Sequence, residues 1–270
     1  MDDKQGEEKM KPEISIILPA IRRENWDKMY DSIMMSTGRK FELIICGPYS
    51  LTEKLQSLRN VKYIKDFGCS TRATQLASLL AEGEYMMWAG DDTIFQRNAV
   101  DYMINILKSM KSNYKNVVCG KYLEGANGTK KVEWGDFYYK INGKEGFRPC
   151  TYSPYIPDDW WIFNAALMHR RFFEELGGLD CGYEHLAMAA TDFAIRAQVS
   201  DAVVRQTQIY VYDCDHSQSD HVPIEIAQLH YDNPKIQAKY RDPNWREKLK
   251  INIDMDNWRD YPSVWKRRFS

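Results

Sequence analysis

Short, almost continuously apolar runs are spaced along the first 120 residues. Runs of this kind are typical of strands that are buried on both faces of a sheet. Five of them predict strands: "EISIILP" at 13–19, "FELIICG" at 41–47, "VKYIKDFG" at 61–68, "EYMMWA" at 84–89 and "NVVCGKY" at 116–122.

Apolar residues recur at helical spacing between these runs. Ser50 and Glu53 have capping-box spacing and predict the start of a further, short helix. The alternation of strand and helix predicts an α/β fold, with a mostly parallel central sheet flanked by helices. Three stripes carry this prediction: Trp26, Tyr30, Ile33 and Met34; Ala73, Leu76, Ala77 and Leu80; and Val100, Met103, Ile104 and Leu107.

The second half of the chain is less regular. It contains predicted helices at "HRRFFEELGG" and "TDFAIRAQ" and a predicted strand at "VVRQTQIYVYD". We therefore divide the chain into an N-terminal tail at 1–12, which we expect to be flexible, one domain at 13–223 and a helical extension at 224–270.

Composition and charge narrow the class of protein. With 270 residues, 44% of them hydrophobic, the chain can bury a large core, and a net charge of −1 argues against nucleic acid as a partner. No apolar segment approaches ~20 residues and the N-terminus is charged, so we expect a cytoplasmic protein. The C-terminal "WKRRF" allows at most peripheral contact with the cytosolic face of a membrane. Six widely separated cysteines, none in a C-x-x-C pair, predict free thiols without a zinc site.

Two adjacent carboxylates, Asp91 and Asp92, follow the fourth predicted strand in "GEYMMWAGDDT". Ligands of open α/β sheets collect beyond the carboxyl ends of the strands. Neighbouring carboxylates repel each other unless a cation or hydrogen-bond donors compensate, and Mg²⁺ and Mn²⁺ prefer oxygen ligands. A solvated turn that caps the next helix is the alternative, and the residues alone leave both readings open.

Five segments in order resemble family-2-type glycosyltransferases with a GT-A fold: "EISIILPA", "FELIICG", "GEYMMWAGDDT", "LMHRRFFEELGGLD" and "TDFAIRAQ". The resemblance covers about residues 12–215. It implies a GT-A-type (Rossmann-like) fold in which 13–120 bind a nucleotide-sugar and 121–223 form the acceptor and catalytic half.

The resemblance also implies a reaction. That family binds a divalent cation and the donor diphosphate through a D-x-D-type motif, in which Asp92 matches the metal ligand, Asp91 the middle residue and Gly90 the usual first Asp. We therefore expect Asp91 to contact the donor ribose or to support the metal ligand. We therefore expect a Mn²⁺- or Mg²⁺-dependent inverting transfer. The donor would be a UDP- or GDP-type sugar, and the acceptor a hydroxyl of a glycan or glycolipid.

Further donor contacts are expected at the ends of the first and third strands. Many relatives have "DDGS" where this chain has "CGPYS", so the usual base-reading Asp is replaced. Pro19 and Ala20 end the first strand, and Asp66 and Arg72 could contact the base or phosphates. For Arg72, a surface charge is the alternative.

The acceptor base is expected in "GLDCGYEHLAMAATDFAIRAQ". By the resemblance, Asp192 matches the second Asp of the family's E-D-x-D motif, whereas the usual base position falls on Ala190. We select Asp192 as the base, because we expect it to open a helix, and Glu184 as second choice. The alternative for Asp192 is a helix N-terminal carboxylate that stabilises the helix dipole.

Two further pairs are candidates. His216, or else His221, could complete the metal site after the last strand, and imidazole would suit Mn²⁺ better than Mg²⁺. An exposed polar loop is the alternative. Trp160 and Trp161 could border the acceptor, since sugar rings pack on indoles, but they could equally fill a core.

Two other functions compete with sugar transfer. A sugar-nucleotide pyrophosphorylase should have a Gly-rich loop after the first strand, whereas "PAIRRENW" contains no glycine. A non-catalytic module that binds a nucleotide-sugar or a glycan would account for the replaced Asp positions.

Overall fold

The computed structural model describes residues 11–111, 114–125, 132–134, 137–141, 144–148, 163, 165–215 and 227–249. Its strands are β1 (Ile14–Pro19), β2 (Phe41–Gly47), β3 (Val61–Lys65), β4 (Tyr85–Trp88), β5 (Thr93–Phe95), β6 (Asn116–Gly125), β7 (Val132–Trp134), β8 (Phe137–Ile141), β9 (Lys144–Arg148), β10 (Ala166–His169) and β11 (Val203–Asp215). Its helices are α1 (Trp26–Ser36), α2 (Glu53–Gln56), α3 (Ser70–Ser78), α4 (Ala99–Ser109), α5 (Arg170–Glu175), α6 (Leu186–Val199) and α7 (Asn233–Arg241).

One sheet of nine strands organises this part of the chain, in the order β3-β2-β1-β4-β10-β6-β11-β5 with β7 beside β6. Strands β1 to β4 are mutually parallel, and β11 is parallel to β6. Strand β10 is antiparallel to both of its neighbours, β4 and β6. The predicted α/β fold with a mostly parallel sheet is confirmed.

The apolar runs are explained by burial on both faces of the sheet. In β1, Ile16 and Leu18 pack in one core with α1 and α4, whereas Ile17 packs in a second core with α3 and α6. All three side chains are fully buried. Each contributes about 1.5–3 kcal/mol, so the strand needs an apolar residue at almost every position.

Several boundaries differ from the sequence prediction. Helix α2 is capped by Thr52 rather than Ser50, because the Thr52 hydroxyl accepts a hydrogen bond from the Leu55 N–H at 3.3 Å. Helix α6 begins at Leu186, so Asp192 lies in its second turn and does not open the helix. The short strands β5 and β10 were not predicted.

A C-terminal segment lies against the second core. After a π-helical turn at Ala227–Asp232, helix α7 packs on α6 through Ile236 and Tyr240, which are almost completely buried. The five cysteines in the described ranges are free thiols, and Cys150 lies outside these ranges. No helix in the described part of the chain is both long and apolar enough to cross a bilayer.

Candidate functional site

The carboxyl ends of β1, β2, β3 and β4 meet at one edge of the sheet, because the four strands are parallel and adjacent. Asp91 and Asp92 lie directly beyond β4. The chain before them still pairs with β1, since the Ala89 N–H donates to the Ile17 carbonyl at 3.0 Å. The structure therefore brings the carboxylate pair to the edge at which ligands of such sheets collect.

Asp91 is a buried carboxylate that joins two loops. Its Oδ2 accepts hydrogen bonds from the backbone N–H groups of Ile21 and Arg22, both at 2.5 Å. Its Oδ1 accepts from Nη1 of Arg22 at 2.6 Å, and the residue is only 2% exposed. The sequence predicted that Asp91 contacts the donor ribose or supports the metal ligand, and in this structure its oxygens bind the loop that follows β1.

Asp92 lies beside this contact with a different orientation. Its Oδ2 is 3.8 Å from Nη1 of Arg22, so one guanidinium lies next to both carboxylates. Its Oδ1 lies so close to Gly90 that a Cβ atom at position 90 would be 2.5 Å away. Glycine at this position therefore lets the Asp92 carboxylate lie over the chain before it.

The residues predicted at the ends of β1 and β2 are in close backbone contact. Ala20 donates its N–H to the Cys46 carbonyl at 2.9 Å, and its own carbonyl would be 1.8 Å from a Cβ at position 47. No side chain fits at Gly47 without moving β1. Pro19 and Ala20 thus help to form the wall of the edge, and the backbone of Ala20 leaves no space for an Asp at position 47.

Asp66 and Arg72 form an ion pair beyond β3. Nη2 of Arg72 donates to Oδ1 of Asp66 at 2.9 Å, and the Gly68 N–H donates to Oδ2 at 2.9 Å. The Arg72 side chain is 16% exposed, so it is not a freely solvated surface charge. Both residues lie at the same edge as the carboxylate pair, because the Asp66 N–H also bonds the Gly47 carbonyl at the end of β2.

Of the two adjacent carboxylates, Asp92 is the better placed to bind a divalent cation. Asp91 is only 2% exposed and already accepts three hydrogen bonds from the chain, so it is poorly placed to bind an ion directly. Within the described ranges, no three His, Cys, Asp or Glu side chains lie close enough together to hold an ion by themselves. Asp92 suits a site of the kind in which Mg²⁺ is bound by one or two carboxylates, water and substrate phosphates.

Asp192 occupies a buried ion-pair cluster away from solvent. Its side chain has no exposed surface and accepts hydrogen bonds from Arg196 Nε at 2.8 Å, Lys239 Nζ at 2.5 Å and the Tyr240 hydroxyl at 2.9 Å. Burial raises the pKa of Asp192, but the charges of Arg196 and Lys239 outweigh it, and the pKa lies below its ordinary value. A base must reach the acceptor and take up a proton, and Asp192 meets neither condition here.

Glu184, the second candidate for the base, lies at the start of α6. Ser70, the first residue of α3, donates its hydroxyl to the Glu184 carbonyl at 3.4 Å and accepts from the Leu186 N–H at 3.2 Å. Helix α3 begins just after the Asp66 loop, so Glu184 is brought to the β3 side of the site. The carboxylate of Asp232 fixes this turn, because it accepts hydrogen bonds from the N–H groups of Glu184 and His185.

Four predicted site residues, Trp160, Trp161, His216 and His221, lie outside the described residues. Two others were missed by the sequence analysis: Arg22, which contacts the carboxylate pair, and Asp232, which holds the Glu184 turn. The position of Arg22, three residues after the end of β1, was the available signal. No signal in the sequence pointed to Asp232, because its partners Glu184 and His185 lie 48 and 47 residues earlier.

Comparison with known proteins shows the fold. No family model matches the chain, and no curated protein matches its sequence. The crystal structure of S. aureus TarS 1–349 in complex with UDP is similar, with a TM-score of 0.55 and 14% identity over 90% of this chain and 73% of that chain. The crystal structure of S. aureus TarS 1–349 has a TM-score of 0.56 and 13% identity over 96% of this chain and 80% of that one. TarS has a GT-A fold, so the predicted fold is confirmed.

Proposed function

We propose that this protein is an inverting glycosyltransferase that moves a sugar from a UDP- or GDP-type donor to a hydroxyl of a glycan or glycolipid. The observation that carries the proposal is the position of Asp91 and Asp92 where β1 to β4 end, in a fold that it shares with a protein solved with UDP. The Asp66–Arg72 pair at the same edge offers further polar contacts to a nucleotide.

In this proposal the donor diphosphate lies beside Asp92. A Mn²⁺ or Mg²⁺ ion held by Asp92 and the phosphates would neutralise the charge that develops on the departing nucleoside diphosphate. Asp91 keeps the loop after β1 in place through its three hydrogen bonds. This loop carries Arg22 and so defines one wall of the phosphate site.

Glu184 is the carboxylate that we assign to the acceptor. The acceptor oxygen forms a bond to the anomeric carbon while the bond from that carbon to the diphosphate oxygen breaks, and the hydroxyl proton passes to Glu184. This assignment replaces Asp192, which is fully buried among its own cationic partners. The turn that carries Glu184 is fixed by Asp232 and Ser70, which would keep the base at a constant distance from the donor.

Asp92→Asn tests the proposal. Release of nucleoside diphosphate from UDP- and GDP-sugars in the presence of Mn²⁺ should fall ~100-fold or more, because the leaving group loses its electrostatic partner. Asp201→Asn is the matched control, since Asp201 is exposed and lies beyond the end of α6. Circular dichroism and thermal unfolding of the two variants should match the wild type.

Calorimetry with nucleotides, together with the release measurement, separates the remaining alternatives. A wild type that binds none of UDP, GDP, dTDP or CMP in calorimetry, with or without Mn²⁺, would rule the proposal out. Tight binding of a nucleotide-sugar without hydrolysis or transfer would favour the non-catalytic binding module.

A further inference from the structure

We infer that Arg22 binds the diphosphate of the donor and that Asp91 is the residue that positions it. The inference rests on the proposed function, because it names a protein partner for the phosphates of the nucleotide-sugar. It does not depend on whether the donor is of the UDP or the GDP type.

The geometry fixes the Arg22 side chain relative to its own backbone. One carboxylate, that of Asp91, accepts both the Arg22 backbone N–H at 2.5 Å and the Arg22 Nη1 at 2.6 Å. The two ends of the residue are therefore tied to the same group. An arginine held in this way loses little conformational freedom when it binds a ligand.

Charge makes a cation necessary at this position. A diphosphate that approaches the edge meets two adjacent carboxylates, which repel it. Nη1 of Arg22 lies 2.6 Å from Asp91 Oδ1 and 3.8 Å from Asp92 Oδ2, so a single guanidinium lies beside both carboxylates and offsets one of their two charges. The pair of aspartates is thus already partly neutralised by the protein itself.

The chemistry of the group suits phosphate. A guanidinium has five N–H donors in a planar fork that matches the oxygens of a phosphate, whereas a lysine offers a single charged centre. The Arg22 side chain is 12% exposed, so it is shielded from bulk water but reaches the surface of the site. Shielding strengthens a charge-assisted hydrogen bond to an incoming phosphate.

The test compares diphosphates with the corresponding nucleosides. Calorimetry would measure UDP, uridine, GDP and guanosine with wild type, Arg22→Gln and Arg22→Lys, in EDTA and in Mn²⁺. Arg22→Gln should lower the affinity for whichever diphosphate binds by ~10- to 100-fold, the range for one charge-assisted hydrogen bond. The affinity for the corresponding nucleoside should change by less than ~2-fold. Arg22→Lys should keep part of the affinity. Arg23→Gln is the neighbouring control, because Arg23 donates to the Ser50 and Leu51 carbonyls instead.

The role of Asp91 is tested by a double-mutant cycle. Asp91→Asn alone should lower the affinity for the same diphosphate. Added to Arg22→Gln, it should lower the affinity little further, because its effect passes through Arg22. Full additivity would contradict the positioning role.

The outcomes separate this inference from the proposed function. If the wild type binds neither diphosphate, the proposed function fails. If a diphosphate binds and Arg22→Gln leaves its affinity unchanged, or weakens diphosphate and nucleoside equally, then Arg22 is not a phosphate ligand and the proposed function stands. Thermal unfolding of each variant identifies any loss of affinity that is due to misfolding. If Arg22→Gln is misfolded, the affinity of Arg22→Lys for the diphosphate decides between the outcomes.

Discussion

Two glycines at the site limit the neighbouring residues in different ways. A Cβ at Gly47 would meet the backbone carbonyl of Ala20 at 1.8 Å, whereas a Cβ at Gly90 would meet the carboxylate of Asp92 at 2.5 Å. The first obstacle directly follows β1 and is hydrogen-bonded to β2 through the Cys46 carbonyl, so it cannot move without disturbing the sheet. The second is the end of a side chain, so a residue at position 90 changes the orientation of Asp92 and leaves the fold intact.

Gly90→Ala tests this difference. We expect the free energy of unfolding to stay within about 1 kcal/mol of the wild type, as for most substitutions that disturb no buried group. Binding of the donor nucleotide in Mn²⁺ should weaken ~10-fold, because the Asp92 carboxylate is displaced. Gly38→Ala is the control, since its nearest neighbour, Asp101 Oδ2, would be 3.8 Å from the new Cβ. Unchanged nucleotide binding in Gly90→Ala would contradict the assigned position of Asp92.

The sequence predicted where Asp91 lies but not what it does. Its position follows from the apolar run of β4, which ends just before it. Its partners, Ile21 and Arg22, are 70 and 69 residues earlier and reach it only because β1 and β4 pair in parallel. Hydrophobic pattern determines strands, whereas side-chain partners depend on register between distant strands.

At the scale of elements, the parallel strands β1 to β4 were predictable, whereas β5, β10 and the start of α6 were not. Strand β5 has only three residues, and β10 is followed at once by helix α5 at Arg170, so neither stands out as a separate run. Helix α6 is buried along most of its length, so it lacks the polar face that marks an amphipathic helix, and "LAMAA" was not recognised as its first turns. The error about where α6 begins is what made Asp192 resemble a helix-opening base.

The turn before α6 should respond to pH through Asp232. Burial raises the pKa of this carboxyl from 3.8 to about 6, although the hydrogen bond from the His185 N–H opposes the shift. A folded-state pKa above the unfolded value means that the folded state binds more protons between about pH 4 and 6, so this group contributes stability below that window and loses it as pH rises.

Asp232→Asn removes this titration and keeps an oxygen acceptor for the turn. Urea unfolding at pH 4, 5, 6 and 7 should show the wild type losing stability relative to the variant as pH rises through the window. The exposed Asp201→Asn should follow the wild type throughout. Parallel profiles for wild type and Asp232→Asn would show that the carboxyl keeps its ordinary pKa.

In the described part of the molecule, Asp192 supports the fold and Asp92 lies at the site, whereas Asp91 does both, because it holds the loop after β1. Asp192 connects α6 to the C-terminal helix α7 through Lys239 and Tyr240. Asp91 and Asp92 lie beyond the ends of β1 to β4. Changes at Asp192 or its partners should therefore alter stability, and changes at Asp92 should alter binding.

Lys239→Met tests this separation. Loss of one partner of a fully buried carboxylate should lower the free energy of unfolding by about 1–3 kcal/mol, since Arg196 and Tyr240 still contact Asp192. Nucleotide affinity of the folded fraction should not change. Lys54→Met removes the exposed ion pair with Asp31 and should cost less than about 1 kcal/mol. Denaturant unfolding and calorimetry on the same samples provide both readouts, and a parallel loss of affinity in Lys239→Met would couple the two groups.

The contact between Gly47 and the Ala20 carbonyl also restricts how the protein can change in evolution. An aspartate at position 47 cannot be introduced by a single substitution, because the backbone carbonyl of Ala20, directly after β1, occupies the space of its Cβ. A lineage with this backbone must first shift β1 or recruit another residue. Under the proposed function, a change of donor nucleotide should therefore alter the loop after β3, around Asp66 and Arg72, before it alters Gly47.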